Sequence, residues 1–162
     1  MRNLYAPWRM EYIESEPESG CLFCRVREAP PGDDRRNLVV HRTAGAIVLM
    51  NKFPYNNGHL MVAPRTHVGS LVDLDDDQSL AVVDLVRRSL RVLQAVMAPD
   101  GFNVGANLGR VAGAGIPDHV HLHLVPRWSG DTNFLPVLGE VKVINEHLDR
   151  TWEKLTAAFA TA

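Results

Sequence analysis

Residues 119–128 read His-Val-His-Leu-His-Leu-Val-Pro-Arg-Trp, so histidine alternates with aliphatic residues through the first half. In a β-strand this alternation places the three imidazoles on one face and Val120, Leu122 and Leu124 on the other. Three of the seven histidines lie within residues 119–123, and buried imidazoles would need several polar partners. The pattern therefore favours function over packing. It leaves two interpretations open, a three-imidazole metal site or a nucleophilic histidine that its neighbours orient.

The composition is typical of one ordinary globular domain. The chain has 162 residues, of which 46% are hydrophobic, and we expect residues 1–162 to form a single domain. The formal charge of -2 provides no overall field for binding a nucleic acid polymer. There is no apolar run of membrane-spanning length and no signal segment at the start of the sequence. We therefore expect no membrane partner and a cytoplasmic location.

The only two cysteines are Cys21 and Cys24, separated by two residues. A cytosolic chain seldom keeps a structural disulfide, which leaves metal ligation or redox chemistry. A thioredoxin-like motif begins a helix after a strand, whereas the residues before Cys21 are polar and contain proline. A metal site is the favoured interpretation.

The order of predicted elements indicates an α+β fold with a mainly antiparallel five-stranded sheet. Residues 1–20 contain several aromatic residues and are expected to form an arm rather than a disordered tail. The predicted strands are Asn37–Arg42, Ala46–Asn51, His59–Pro64, Gly101–Leu108 and the histidine segment. A final helix is predicted over Ile144–Ala160.

One long helix is predicted between the third and fourth strands. Asp75, Asp76 and Asp77 are suited to its first turn, and Pro99 ends it. An apolar stripe at spacings of three and four is expected to face the core; it comprises Leu80, Val83, Val86, Leu90, Leu93 and Met97.

The connection Gly109–Pro117 is rich in glycine. A strand follows it, so it lacks the helix that a dinucleotide-binding glycine motif requires. The loop is still able to present backbone N–H groups to phosphate. A plain connection between two strands is the alternative.

The sequence resembles the histidine triad family of nucleotide hydrolases and transferases. His119-Val-His121-Leu-His123-Leu-Val125 matches the defining pattern of that family, and Asn51 with the segment 58–64 resembles its upstream strand pair. Flanking segments resemble its bacterial branch of diadenosine tetraphosphate phosphorylase-like proteins; they are residues 6–9, 53–59, 101–105 and 125–134. The resemblance covers nearly the whole chain and implies the fold of that family.

The resemblance implies a nucleotidyl-transfer site. His121 corresponds to the nucleophile that forms a nucleotidyl-histidine intermediate, with His59 and His123 beside it. His119 or an ordered donor would protonate the leaving group. The residues implied in nucleotide or phosphate binding are Asn51, Asn107, Gly113, Gly115 and His119. Many family hydrolases have glutamine at the position of Gly115, and the smaller residue favours phosphate as the second acceptor.

The same resemblance implies a structural zinc ion held by Cys21, Cys24, His67 and His119, a Cys2His2 set; reduced, unliganded cysteines are the alternative. His119 would then belong to the metal. No organic cofactor is expected. The implied partners are a purine nucleotide or dinucleoside polyphosphate, inorganic phosphate, and a second copy of the chain in a homodimer or larger homo-oligomer. A nucleoside phosphoramidase, a dinucleoside polyphosphate hydrolase, a non-enzymatic nucleotide-binding module and a three-histidine catalytic zinc enzyme remain as rivals.

Overall fold

The computed structural model describes residues 20–132 and 143–162. Five antiparallel strands form one sheet in the order β1-β2-β3-β5-β4, which confirms the predicted α+β class. The strands are β1 Val39–Arg42, β2 Ala46–Met50, β3 Leu60–Pro64, β4 Gly101–Gly105 and β5 Leu122–Arg127. Within the described residues three α-helices accompany them, α1 Leu22–Glu28, α2 Asp76–Met97 and α3 Leu148–Phe159. Apart from Gly20, the predicted aromatic arm lies outside the described residues.

Both faces of the sheet are covered near its centre, because every residue of β2 and β3 is buried. Ala46, Val48 and Met50 pack into a core shared with α2 and α3. Ile47 and Leu49 point the other way, into a smaller core shared with α1. The alternation of a strand thus divides apolar residues between two cores, and the histidine segment lies between them.

Helix α2 begins and ends as the sequence predicts. The Asp75 side chain accepts a hydrogen bond from the backbone N–H of Gln78, whose own side chain accepts one from the N–H of Asp75. This capping box satisfies two N–H groups of the first turn. At the other end Ala98 adopts a left-handed conformation (φ 44°), and Pro99 follows.

The predicted apolar stripe of α2 is wrong in part. Leu80 and Val83 are 67% and 51% exposed, while Val86 and Leu93 are buried as expected. The buried residues are Val82, Leu85, Val86, Ser89, Val92 and Leu93. This set has the same spacing of three and four residues, so periodicity alone fits either stripe. Packing against the sheet and α3 selects the second.

Several element boundaries differ from the predictions. Strand β4 ends at Gly105, three residues early, and α3 begins at Leu148 instead of Ile144. Strand β5 begins at Leu122, because Val120 donates its N–H to the carbonyl of Val68 and not to a neighbouring strand. The short helix α1 was not predicted; it buries Phe23 and Val26, one turn apart. None of the described helices has the length and apolar character needed to cross a membrane.

Candidate active site and metal-binding cluster

The alternation of the histidine segment holds in three dimensions. The rings of His119 and His121 lie 5.0 Å and 4.9 Å from the ring of Phe23, on the side of the sheet that α1 covers. Leu122 and Leu124 lie on the opposite side, in the core beneath α2. The chemical face and the core face are therefore separated as the sequence predicts.

His121 is held as one defined neutral tautomer. Its Nδ1–H donates to the backbone carbonyl of His119 at 2.9 Å, which leaves the lone pair on Nε2. Burial lowers the pKa of His121, and the hydrogen bond to His119 raises it by less. At neutral pH the ring is uncharged, with a nucleophilic nitrogen opposite the anchored one.

His59 and His123 form a hydrogen-bonded pair beside His121. The backbone N–H of Tyr55 donates to His59 Nδ1 at 3.1 Å, so a neutral His59 carries its proton on Nε2. That nitrogen lies 2.9 Å from His123 Nδ1 and donates to it. His123 consequently presents Nε2–H as a donor. The ring of His123 lies 4.9 Å from that of His121, so the two imidazoles are neighbours.

The neutral state of His59 predicts a dependence of stability on pH. Burial, followed by the proximity of His123 and His121, lowers the pKa of His59 to about 3, whereas an unfolded chain has a histidine pKa of about 6.5. Between these values only the unfolded state binds the proton, so stability is lost as pH falls. We expect His59 to make the free energy of unfolding about 2 kcal/mol lower at pH 5 than at pH 8.

Urea unfolding at several pH values checks this expectation when the wild type is compared with His59→Gln. Every other histidine is present in both proteins, so the difference between the two curves reports the contribution of His59. The variant should lose less stability on acidification. Parallel curves would show that His59 does not carry the effect.

A cavity of about 540 Å³ opens beside His123. Of the residues predicted to bind nucleotide, Asn107 lines it, together with Tyr55, Asn56, Asn103, Val104, Gly105, Ala106, His123, Val125, Arg127 and Thr132. Asn51 does not line this cavity; its side-chain oxygen accepts a hydrogen bond from the N–H of Phe53 and shapes the loop before His59. Gly113 and Gly115 do not line it either, although a Cβ on Gly113 would lie 4.0 Å from Asn107 Nδ2.

The four residues predicted to bind metal converge although they come from three separate parts of the chain. One ligand atom from each of Cys21, Cys24, His67 and His119 lies within 4.8 Å of the others. Cys21 Sγ lies 3.2 Å from His119 Nδ1, Cys24 Sγ lies 3.2 Å from His67 Nδ1, and the two Nδ1 atoms are 3.3 Å apart. A tetrahedral zinc site with ordinary bond lengths separates its ligand atoms by roughly 3.3–3.8 Å. The cluster therefore fits a metal ion without rearrangement of its helices and strands.

His119 joins the cluster to His121 and to the sheet. Its Nε2–H donates to the carbonyl of Pro64 at 2.9 Å, which leaves the lone pair on Nδ1, directed at the cysteines. Its own backbone carbonyl accepts the hydrogen bond from His121. The side chain of buried His119 thus belongs to the metal cluster, while its backbone carbonyl positions His121. His119 does not line the cavity.

Several groups at the site were not found by sequence reasoning. Tyr55 acts through its backbone, which no side-chain pattern reveals. Asn56, Asn103 and Asp131 are single polar residues in loops or on an exposed strand. Arg127 carried a signal, because it continues the alternate positions of His121, His123 and Val125 on one face of β5.

Comparison with known proteins identifies chains that are similar to this one in sequence or in fold. The model of the HIT domain family matches residues 34–130. The AP-4-A phosphorylase of Mycobacterium tuberculosis is 38% identical over 166 residues, which cover 99% of this chain and 85% of the relative. The adenosine 5'-monophosphoramidase hnt1 of Schizosaccharomyces pombe is 27% identical over 66% of this chain and 74% of its own. A Zn-bound histidine triad family protein from Mycobacterium smegmatis has a similar fold, with a TM-score of 0.68 and 24% identity over 88% of this chain and 94% of that one.

Proposed function

The chain belongs to the HIT domain family, and from this premise we propose that it cleaves dinucleoside polyphosphates by transferring a nucleotidyl group to His121. The observation that carries the proposal is the hydrogen bond from His121 Nδ1–H to the carbonyl of His119, which leaves Nε2 as the nucleophile. The sequence relationship to the mycobacterial AP-4-A phosphorylase supports this class of substrate.

The reaction proceeds in two displacements. The Nε2 lone pair attacks the α-phosphorus, and the bond from that phosphorus to the bridging oxygen breaks with its electron pair on the oxygen. The ring of His123 adjoins that of His121, and we assign its Nε2–H as the donor to the developing charge on the leaving group. In the second step an acceptor oxygen attacks phosphorus and releases His121. Water as acceptor yields a nucleoside monophosphate, and inorganic phosphate yields a nucleoside diphosphate.

The hydrogen-bonded pair explains how a buried histidine supplies that donor. His59 accepts from the backbone N–H of Tyr55, so its proton is fixed on the side of His123. His123 in turn can donate only from Nε2 while it is neutral. His59 is therefore a positioning residue in this proposal, and His121 and His123 are the catalytic residues.

We prefer phosphate to water as the second acceptor. Gly115 stands where many family hydrolases carry glutamine, and a Cβ built on it meets no heavy atom within 4 Å, so the space that a glutamine side chain would take is open. With diadenosine tetraphosphate we expect nucleoside diphosphate only when inorganic phosphate is added, and ¹⁸O-labelled phosphate should transfer its label to that product. Chromatography with mass detection of the products checks this. Monophosphate as the sole product in saturating phosphate would instead establish a hydrolase.

Phosphoramidate cleavage is the second candidate, because the same residues suffice and only the leaving group differs. The relationship to the fission-yeast adenosine 5'-monophosphoramidase favours it. Adenosine 5'-phosphoramidate belongs in the same assay panel. A specificity constant higher than that for diadenosine tetraphosphate would make phosphoramidase the better description.

We propose Zn²⁺ as the metal of the Cys21, Cys24, His67 and His119 cluster. Two thiolates and two imidazoles are the ligand types of closed tetrahedral zinc, and the hydrogen bond to Pro64 orients His119 toward that position. When bound, the ion would supply structural cross-linking of α1 to the sheet. With all four positions filled by protein, no coordination site would remain for substrate.

A homodimer and a cytoplasmic location complete the proposal. Leu80 and Val83 on α2 are exposed apolar residues that a second copy could cover. Light scattering would contradict the dimer if it gave a mass near 18.0 kDa. The cysteine thiols of the cluster suit a reducing compartment, which fractionation of the expressing cell would test.

A further inference from the structure

A groove runs along strands β4 and β5, away from His123. His123, Val125 and Arg127 occupy alternate positions of β5 and line the same cavity. Across from them on β4 lie Gly105, which pairs with His123, and Asn103, which pairs with Val125. A Cβ on Gly105 would meet no heavy atom within 4 Å, so this wall of the groove is open. The groove therefore runs from His123, which has Gly105 beside it, toward Arg127.

Arg127 is held in one orientation at the far end of this groove. Its Nε and Nη2 donate to the two carboxylate oxygens of Asp131 at 2.6 Å and 2.9 Å, and Nη1 donates to Asn103 Oδ1 at 2.8 Å. These bonds use three of the five N–H groups of a guanidinium and leave two, one on each terminal nitrogen. The Arg127 side chain is 45% exposed and that of Asp131 only 7%. The cation thus faces the cavity while its carboxylate partner lies behind it.

Asp131 is itself held by further hydrogen bonds. Asn56 Nδ2 donates to Asp131 Oδ2 at 2.8 Å and to the carbonyl of Pro126 at 3.0 Å, and the N–H of Trp128 donates to the same carboxylate oxygen. An arginine clamped in this way loses little side-chain entropy when it binds an anion. The support behind Arg127 is what distinguishes it from an ordinary surface arginine.

The length of the groove indicates the shape of its ligand. Four residues of strand separate the Cα atoms of His123 and Arg127 by about 13 Å. That distance is on the scale of a short oligophosphate chain and exceeds the reach of a single phosphate. Polar groups for phosphate oxygens line the path, since Asn103, Asn107 and Thr132 border the same cavity.

We propose that this groove binds the oligophosphate chain of the departing nucleotide, and that Arg127 makes binding depend on the length of that chain. The inference rests on the proposed function, because it takes the scissile phosphorus to lie at His121. A chain that extends from there past His123 reaches the guanidinium, whereas a shorter leaving group ends before it. Arg127 is then a specificity-determining residue for substrates with several phosphates.

Titration calorimetry with inorganic tripolyphosphate tests the groove without any turnover. We expect Arg127→Gln to weaken binding roughly tenfold or more, the effect of losing a charge-assisted hydrogen bond, and Arg127→Lys to be intermediate. The matched control is Arg87→Gln, an exposed arginine on α2 that pairs with Asp84, and it should bind as the wild type does. Absence of tripolyphosphate binding to the wild type, or equal affinity of Arg127→Gln, would overturn the proposal. A loss confined to orthophosphate would also overturn it.

Steady-state kinetics then tests whether Arg127 selects substrates by the length of the phosphate chain. Arg127→Gln should lower kcat/KM for diadenosine tetraphosphate roughly tenfold and leave that for adenosine 5'-phosphoramidate within about twofold, because ammonia does not extend into the groove. An equal loss on both substrates would show a merely structural role and refute the assignment. If the wild type turned over neither compound, nucleotidyl transfer would fail, while the tripolyphosphate result would still decide whether the groove binds an anionic chain.

Discussion

His121→Ala should lower kcat for dinucleoside polyphosphate cleavage by about 10⁴-fold or more, because it removes the nucleophile and with it the two-step route. The dissociation constant of a non-hydrolysable nucleotide analogue should change by less than about threefold, since other groups bind the nucleotide. Rapid-quench or chromatographic assays measure the first quantity, and calorimetry measures the second. A variant with full activity would refute the assignment of His121.

The matched control for this substitution is His147→Ala. His147 is an exposed histidine at the start of α3, so its loss removes an imidazole without touching the cavity. His121→Gly provides a sharper test, because the space it leaves beside Phe23 can admit free imidazole. Partial recovery of turnover with added imidazole would identify the missing group as a nucleophile and not as a packing element. Melting temperatures near that of the wild type would exclude unfolding as the cause.

The face that carries the histidines was predictable because its signal is local. Alternation of His119, His121 and His123 with aliphatic residues predicts which side chains share a face. In the structure the rings of His119 and His121 lie beside Phe23, and His121 adjoins His123, although only His123 belongs to strand β5. The tautomers were not predictable, because they depend on the Tyr55 N–H and on the His119 carbonyl. Backbone groups carry no residue identity, so only the folded chain reveals their direction.

Contacts between residues that are distant in the sequence were predicted only from the family resemblance, whereas local patterns were predicted from the residues themselves. Spacing alone indicated Cys21 and Cys24 as a pair, and the partnership with His67 and His119 came from the family resemblance. In α2 the adjacent residues Val82 and Val83 both fit a helical period, and burial of Val82 with exposure of Val83 is decided by the sheet. Short-range patterns therefore predicted the helices and strands. Tertiary contacts decided which face of a helix is buried and which distant residues meet.

Cys24→Ser should reduce bound zinc from about one ion per chain to nearly none and lower the melting temperature by about 10 °C or more. The metal joins α1 to the sheet in our proposal, and its binding free energy contributes to folding. Elemental mass spectrometry on protein purified without a histidine tag measures the stoichiometry, and thermal unfolding with and without a chelator measures the stability. A wild type that holds no metal would remove the zinc proposal. Retention of zinc in the variant would exclude Cys24 as a ligand.

The same substitution should also lower kcat more than it raises KM, although Cys24 lies outside the cavity. His119 explains this coupling, since its ring belongs to the metal cluster and its carbonyl anchors Nδ1 of His121. When the ring loses its place, the carbonyl shifts and the lone pair of His121 is no longer held toward substrate. A catalytic zinc would behave differently, because brief chelation would then abolish turnover in protein that is still folded. Turnover that survives chelation for as long as the fold survives would therefore assign the metal to structure and the chemistry to His121.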